Sequence, residues 1–267
     1  MSDMMPEDTP SSPAGTSSRR DGVPAIGGAV VPSVKERRRW ILRFRRLVAG
    51  RLDALGAAVA EEVGKPQGEA MVAELLPLLL ACRWHERHLS RFVGRRRVRG
   101  GTWWQLGQRH HVARAPLGRV AIIATWNYPL QLLGVQLVQA VAGGNTVVVK
   151  PSERSPAAQA QLLELARLAL RETGLDERLI TWTESTREAG QALLLTERFD
   201  HIVFTGSTAV GKAIAELAAQ TLTPTTLELS GGDSAIVLAD ADLRLAARSI
   251  WSAITLNAGQ TCICLLY

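Results

Sequence analysis

The chain has 267 residues, 46% of them hydrophobic and 21% charged, enough to bury a core and to form one or two domains. The longest apolar runs are broken by Arg119, Asn127 and Pro129 and fall short of the roughly 18 to 20 uninterrupted residues of a membrane-spanning helix, so a membrane span is excluded. Three cysteines, Cys82, Cys262 and Cys264, exclude a disulfide framework and point to a reducing compartment, which we read as cytoplasmic; the formal charge of +6 comes largely from arginines before residue 115.

Residues 1–33 are rich in Ser, Pro, Gly and Thr, carry Asp3, Glu7 and Asp8, and lack the apolar centre of a secretion signal; they read as a disordered leader. Residues 35–63 then read as one long helix that stops at Gly64, with Pro66 just beyond. Trp40, Ile41, Phe44, Leu47, Val48 and Leu52 recur at helical spacing, so the arginines between them form a solvated face rather than a nucleic-acid surface. A second helix over residues 69–92 carries Leu75, Leu76, Leu79, Trp84 and Leu89, and Pro77 predicts a kink or break in it. Residues 98–112, punctuated by Gly100, Gly101 and Gly107, read as an exposed hairpin or arm.

After Pro116 apolar runs of strand length alternate with helical periods. Strands are predicted over 119–124, 146–150, 179–182, 201–205 and 226–229, with helices over 129–142, 156–172, 188–195 and 207–222. Right-handed crossovers place those helices on both faces, which makes the fold class α/β with a doubly wound parallel sheet.

The chemistry-bearing residues gather at the predicted strand ends. Thr125-Trp126-Asn127-Tyr128-Pro129 follows the first of these strands, and the Asn127 amide can donate to an oxyanion developing on a carbonyl; capping of the next helix is its plainer role. Lys150-Pro151-Ser152-Glu153 closes the second strand with a cation and an anion. At a ligand crevice the carboxylate would accept ribose hydroxyls and repel a 2′-phosphate, favouring NAD over NADP without excluding the latter, whereas in isolation the two residues form an ordinary surface ion pair.

The turn Gly206-Ser207-Thr208 joins a strand to a helix and offers free N–H groups to an anion. The spacing from Gly206 to Gly211-Lys212 mimics a triphosphate-binding loop, but Ala213 occupies the position where that motif needs a magnesium-binding hydroxyl. Glu228 lies on an apolar strand, where removal from water would raise its pKa toward that of a general base; an outward-facing strand residue is the alternative. Cys262 is either a quiet thiol or a nucleophile, and Cys-x-Cys at 262 and 264 lacks a second cluster to complete a metal site. A thiol that attacks a carbonyl and a carboxylate that activates water form the minimal pair for covalent oxidation of an aldehyde.

Six ordered motifs carry a resemblance: Gly64-Lys65-Pro66, Trp126-Asn127-Tyr128-Pro129, Lys150-Pro151-Ser152-Glu153, Phe204-Thr205-Gly206-Ser207, Leu227-Glu228-Leu229-Ser230-Gly231-Gly232 and Asn257-Ala258-Gly259-Gln260-Thr261-Cys262. From about Lys35 to Cys262 the chain resembles the NAD(P)-dependent aldehyde dehydrogenase superfamily. The resemblance implies a Rossmann-like NAD-binding domain over 34–230, with an oligomerisation arm at 98–112, followed over 231–267 by the incomplete start of a second α/β catalytic domain. It implies that Cys262 attacks the aldehyde, that Asn127 and the Cys262 backbone N–H hold the oxyanion, and that Glu228 activates the water that hydrolyses the thioester. It assigns Lys150 and Glu153 to the adenosine ribose and Gly206 and Ser207 to the pyrophosphate, and places Thr125, Trp126, Ser152, Val210 and Leu229 along the cofactor.

The resemblance further implies an aldehyde substrate and a homodimer or homotetramer. Family chains continue further, so this chain reads as a truncated form; Ile263-Cys264 after the thiol and Ser230-Gly231-Gly232-Asp233 also depart from the family pattern. Were the chain complete, Trp251, Ile254 and Leu256 would be exposed. The alternative reading is a non-catalytic NAD-binding remnant or interaction subunit, and turnover separates the two. A basic nucleic-acid-binding reading rests on the arginine-rich segments alone.

Overall fold

The computed structural model describes residues 31–98, 102–105 and 107–264. Most of the expected leader, Arg99, Gly100, Gly101 and Leu106 of the expected arm, and residues 265–267 lie outside the described residues.

A helical layer opens the fold. Helix α1 (Val34–Ala49) starts at Ser33, whose side chain caps Glu36 N while the Glu36 carboxylate accepts Ser33 N at 2.7 Å. This reciprocal cap is worth about 1 kcal/mol. Trp40, Ile41, Phe44 and Val48 are buried, each contributing about 1.5–3 kcal/mol of apolar burial. The arginines between them are largely engaged within the fold: Arg43 with Glu172, and Arg45 with Glu86 at 2.5 Å.

The expected single helix over 35–63 is two. Gly50 folds back to donate to Arg46 O and Leu47 O, Arg51 leaves helical geometry with φ −133°, and α2 (Leu52–Val63) restarts beyond it. Glycine lowers the cost of that interruption, and the new direction buries Leu55, Val59 and Val63. Gly64 closes α2 with φ +76°.

Beyond Pro66 come α3 (Gln67–Ala70), a π-helical stretch (Met71–Leu75) and α4 (Leu76–Val93). The distortion expected at Pro77 is therefore a widened turn just before it. Pro77 has no N–H to donate, and the extra residue of a π turn absorbs the mismatch without breaking the axis. Strands β1 (Arg96–Val98) and β2 (His110–Val112) pair antiparallel at the base of the expected arm.

The remaining elements alternate: β3 (Arg119–Ile123), α5 (Gln131–Gly143), β4 (Thr146–Lys150), α6 (Pro156–Thr173), β5 (Ile180–Trp182), α7 (Arg187–Thr196), β6 (His201–Gly206), α8 (Thr208–Ala219) and β7 (Thr225–Leu229). The strands form one parallel sheet in the order β5-β4-β3-β6-β7. Val120, Ile122, Val147 and Val149 point to one core with α1, α5 and α6; Ala121, Ile123, Val148, Ile202 and Phe204 point to another with α7 and α8. Successive strand residues point to opposite faces, so the near-continuous burial along β3 and β4 is what a sheet covered on both faces requires. The expected doubly wound α/β architecture is what the chain adopts.

The chain runs outward from β3 to β5, returns, and continues to β6 and β7, so the order reverses between β3 and β6. In open α/β sheets the crevice beyond the carboxyl ends at such a reversal is where ligands bind. Ile123 is level with Lys150 and with Phe204, which brings the ends of β3, β4 and β6 to one edge. Beyond β7 the chain forms α9 (Leu243–Thr255), capped by Asp242 on Arg244 N and Leu245 N. Its surface is largely uncovered: Trp251 and Leu256 are exposed and Ile254 is half-buried.

Candidate functional site

The segment joining β3 to α5 is a tightly tied strap. Thr125 Oγ1 donates to Asn127 Oδ1 at 2.9 Å. The buried Gln159 amide donates to Thr125 O at 2.7 Å, while its oxygen accepts Ser152 N at 2.7 Å, so a single α6 side chain joins the ends of β3 and β4.

The strap also holds the thiol segment. The Asn127 amide donates to Gln260 O at 2.7 Å, the Asn257 amide donates to Asn127 O at 2.9 Å, and the Tyr128 hydroxyl lies 2.7 Å from Thr261 Oγ1. Burial pushes the Tyr128 phenol above its ordinary value, against the opposing bond from Thr261. Cys262 follows directly and is the exposed cysteine of the three. Burial pushes the Cys82 thiol up to about 12, which leaves it protonated, and Cys264 is turned inward toward Ala253 O and Ile254 O.

Asn257 and Ala258 take φ +51° and +52°. Left-handed backbone is costly for residues with a Cβ, and such conformations persist where surrounding contacts fix them.

The structure therefore brings Asn127 and the Cys262 segment together, with a difference from the simplest expectation. In this arrangement one N–H of the Asn127 amide is already satisfied by Gln260, rather than open to a ligand. Of the two readings of Glu228, the outward-facing strand residue holds and the buried one does not. Glu228 is exposed on β7, because burial along that strand alternates and the residue falls on the open side. Two residues on, the chain reaches Ser230 and Gly231, and a Cβ placed on Gly231 would lie 3.6 Å from Cys262 O.

At the same sheet edge, Lys150 is buried and donates to Glu153 at 2.9 Å, and Arg187 donates to the other oxygen of Glu153, also at 2.9 Å. Partial burial alone would raise the Glu153 carboxyl, but hydrogen bonds from Lys150, its own backbone and Arg187 outweigh it and hold the group at about 2. Gly190 leaves room for the Lys150 stem, 3.3 Å from where a Cβ would stand. The Arg154 guanidinium lies over the Trp126 ring at 4.9 Å.

Next to β3, Gly206 ends β6 and Ser207 caps α8 on Val210 N. Val210 is exposed on the first turn of α8, while Leu229 of β7 packs against Gly211. The first N–H groups of a helix have no partners within it, so the α8 turn offers donors to an anion.

Sequence reasoning missed the support behind this site. Lys65 Nζ pairs with Glu74 at 2.6 Å, both side chains fully buried, and also donates to Asn127 O at 3.1 Å. Burial draws the Lys65 ammonium below its ordinary value, against the pull of Glu74. The second oxygen of Glu74 accepts Leu130 N at 2.8 Å and Gln131 N at 3.3 Å, capping α5 from another element. Glu69 accepts Asn257 N at 2.7 Å. The motif around Lys65 was a usable signal; Glu74 carried none, because the π turn shifts the helical phase that would mark an inward face, and Glu69 carried none because the one-turn α3 is too short to show a face.

The family model described as "Aldehyde dehydrogenase family" matches residues 31–266. The chain belongs to the aldehyde dehydrogenase family. A family relative, the 4,4'-diapolycopene-4,4'-dial dehydrogenase of Cytobacillus firmus, is 35% identical over 234 residues, covering 87% of this chain and 50% of the relative. Aldehyde dehydrogenase family 3 member A2 of Rattus norvegicus is 38% identical over 220 residues, 82% of this chain and 44% of that one. The NAD+ complex of an aldehyde dehydrogenase from Bacillus cereus matches with a TM-score of 0.77 and 27% identity, over 87% of this chain and 46% of that chain. The chain thus spans about half the length of these three proteins.

Proposed function

We propose that this chain provides the cofactor-binding domain, residues 34–230, and the thiol-bearing opening of the catalytic domain, residues 231–267, of an enzyme that oxidises an aldehyde to a carboxylate. The observation that carries the reading is the bond from the Asn127 amide to Gln260 O, which ties an oxyanion donor to the segment bearing Cys262 at the point where the strand order reverses.

The donor set at that edge fits a dinucleotide. Glu153 and Lys150 offer an acceptor and a donor for ribose hydroxyls, and the α8 turn at Gly206 and Ser207 offers N–H groups for a pyrophosphate. Thr125, Trp126, Ser152, Val210 and Leu229 line the path between them. When bound, NAD supplies the hydride acceptor.

The residues of the chain do the rest. The Cys262 sulfur, as thiolate, forms a bond to the aldehyde carbon, and the carbonyl oxygen takes the negative charge. The Cys262 backbone N–H and the Asn127 amide stabilise that charge, the amide exchanging Gln260 O for the oxyanion or using its second N–H. After oxidation to the thioester, Glu228 takes a proton from water, whose oxygen attacks the same carbon and releases the thiol. Because Glu228 is exposed, this role requires its side chain to swing toward Gly231 and Cys262. The reduced thiol chemistry suits a cytoplasmic location.

The exposure of Glu228 also favours the second reading, a chain that holds NAD without turning over. Titration of NAD against the 267-residue chain, followed by NADH absorbance on adding an aldehyde panel, separates the two. We expect saturable binding and NADH formation. Binding without NADH supports the second reading, and no binding overturns both. In an active preparation, Glu228→Gln should keep the first burst of NADH and slow later turnovers; loss of the burst would contradict the role given to Glu228.

A further inference from the structure

We infer that Glu74 is a positioning residue for the thiol segment: with Lys65 it clamps the strap 125–131 from beneath, and the strap in turn fixes residues 257–261 ahead of Cys262. The inference rests on the proposed roles of Asn127 and Cys262. Its support is a continuous set of bonds in the interior of the molecule.

Glu74 uses both carboxylate oxygens. One accepts Lys65 Nζ and the other accepts Leu130 N and Gln131 N, where α5 has no cap of its own. Lys65 Nζ sits 3.7 Å above the Tyr128 ring and donates to Asn127 O, the carbonyl that also accepts the Asn257 amide. The strap's outward groups, the Asn127 amide and the Tyr128 hydroxyl, then hold Gln260 and Thr261. Glu69, one turn before Glu74, holds Asn257 N directly.

Two features indicate a role beyond cohesion. A buried ion pair contributes little net stability compared with apolar packing, so its specific geometry is what it supplies. The π turn that turns Glu74 inward and the left-handed Asn257 and Ala258 are irregularities at opposite ends of the same set of bonds. Such irregularities are maintained where surrounding contacts over-determine them. The Lys150–Glu153–Arg187 cluster and Gly206-Ser207 make no direct bond to Lys65, Glu74 or residues 257–261. The strap meets the end of β4 through Gln159, which joins Thr125 O to Ser152 N independently of Glu74, so cofactor affinity should change far less than the order of 257–261.

The test is amide hydrogen exchange, read by mass spectrometry on the full chain. In Glu74→Gln, peptides covering 257–264 should exchange about tenfold faster than in the parent, while those covering β4 and β6 stay unchanged and NAD affinity stays within about twofold. Lys65→Met combined with Glu74→Gln removes both charges; its unfolding midpoint should recover toward the parent while 257–264 remain fast. Should Glu74→Gln fail to fold, the double variant and Glu69→Gln, on a half-buried residue, carry the test alone, each with fast exchange in 257–264.

Uniform acceleration across the chain, or normal exchange in 257–264, overturns the inference. Failure of the aldehyde reading would show separately, as absence of NADH formation in the parent. In an active preparation the variants should lower kcat and leave KM for NAD unchanged.

Discussion

In the proposed reading Glu153 sets cofactor preference, and the two cations bonded to it also give it an acid response. Lys150 and Arg187 each donate to one of its oxygens, so Glu153→Gln leaves two cations sharing a neutral amide. The variant should gain roughly tenfold in NADP affinity relative to NAD, measured by fluorescence titration of both, because a 2′-phosphate can then take the place of the carboxylate. The same group carries a pH dependence. Its carboxyl is held at about 2 rather than the ordinary 4.5, so its contribution to stability is complete above about pH 4.5 and is lost as pH falls toward 2. The difference in unfolding midpoint between parent and Glu153→Gln should therefore be constant near neutrality and shrink below pH 4.5; the pair is partly exposed and the effect modest. Lys150 and Glu153 could be read together in the sequence because they are neighbours at the end of an apolar strand. Glu228 was left between burial and an outward-facing place because an apolar strand is compatible with both, and the open side of β7 depends on what packs there. Lys65 and Glu74 meet through an irregular turn that no periodicity announces.

Among the elements, those whose period is set by burial were the legible ones. All five strands of the parallel sheet and the four helices between or beside them fall where the apolar runs placed them, to within a few residues. The division at Gly50 was missed because the apolar spacing persists across it while the axis changes direction. Helix α9 went unpredicted: Asp242 is a clear start signal, but its apolar residues meet no core within the described residues. Close helix packing yields a test of a different kind. Gly134 of α5 lies against Leu78 of α4, and a Cβ there would stand 2.7 Å from both Leu78 methyls. Gly134→Ala gains about 1 kcal/mol in helix propensity. It also overpacks a fully buried contact at about 1–3 kcal/mol, and a net loss of stability is expected in urea unfolding. Trp40→Phe should cost about 1 kcal/mol or more, since it leaves Ala166 O without the indole N–H now 3.1 Å away.

At the scale of the whole molecule, packing is uneven. One face of the sheet is covered by α1, α5 and α6, whereas β7 and the chain after it leave Ile236, Leu238, Leu243, Leu245 and Trp251 exposed. An apolar surface of that extent favours contact with another surface. Sedimentation velocity of the chain should show concentration-dependent association, and a variant combining Leu243→Ser, Leu245→Ser and Trp251→Ser should sediment as a smaller species. The bond between Glu69 and Asn257 N also joins residues 188 positions apart, and that from Asn257 to Asn127 spans 130. During synthesis, which runs from the N-terminus at about 5–20 residues per second, the residues of the strap and of its ion pair are made before the thiol. The partners that hold residues 257–261 thus all precede that segment in the order of synthesis.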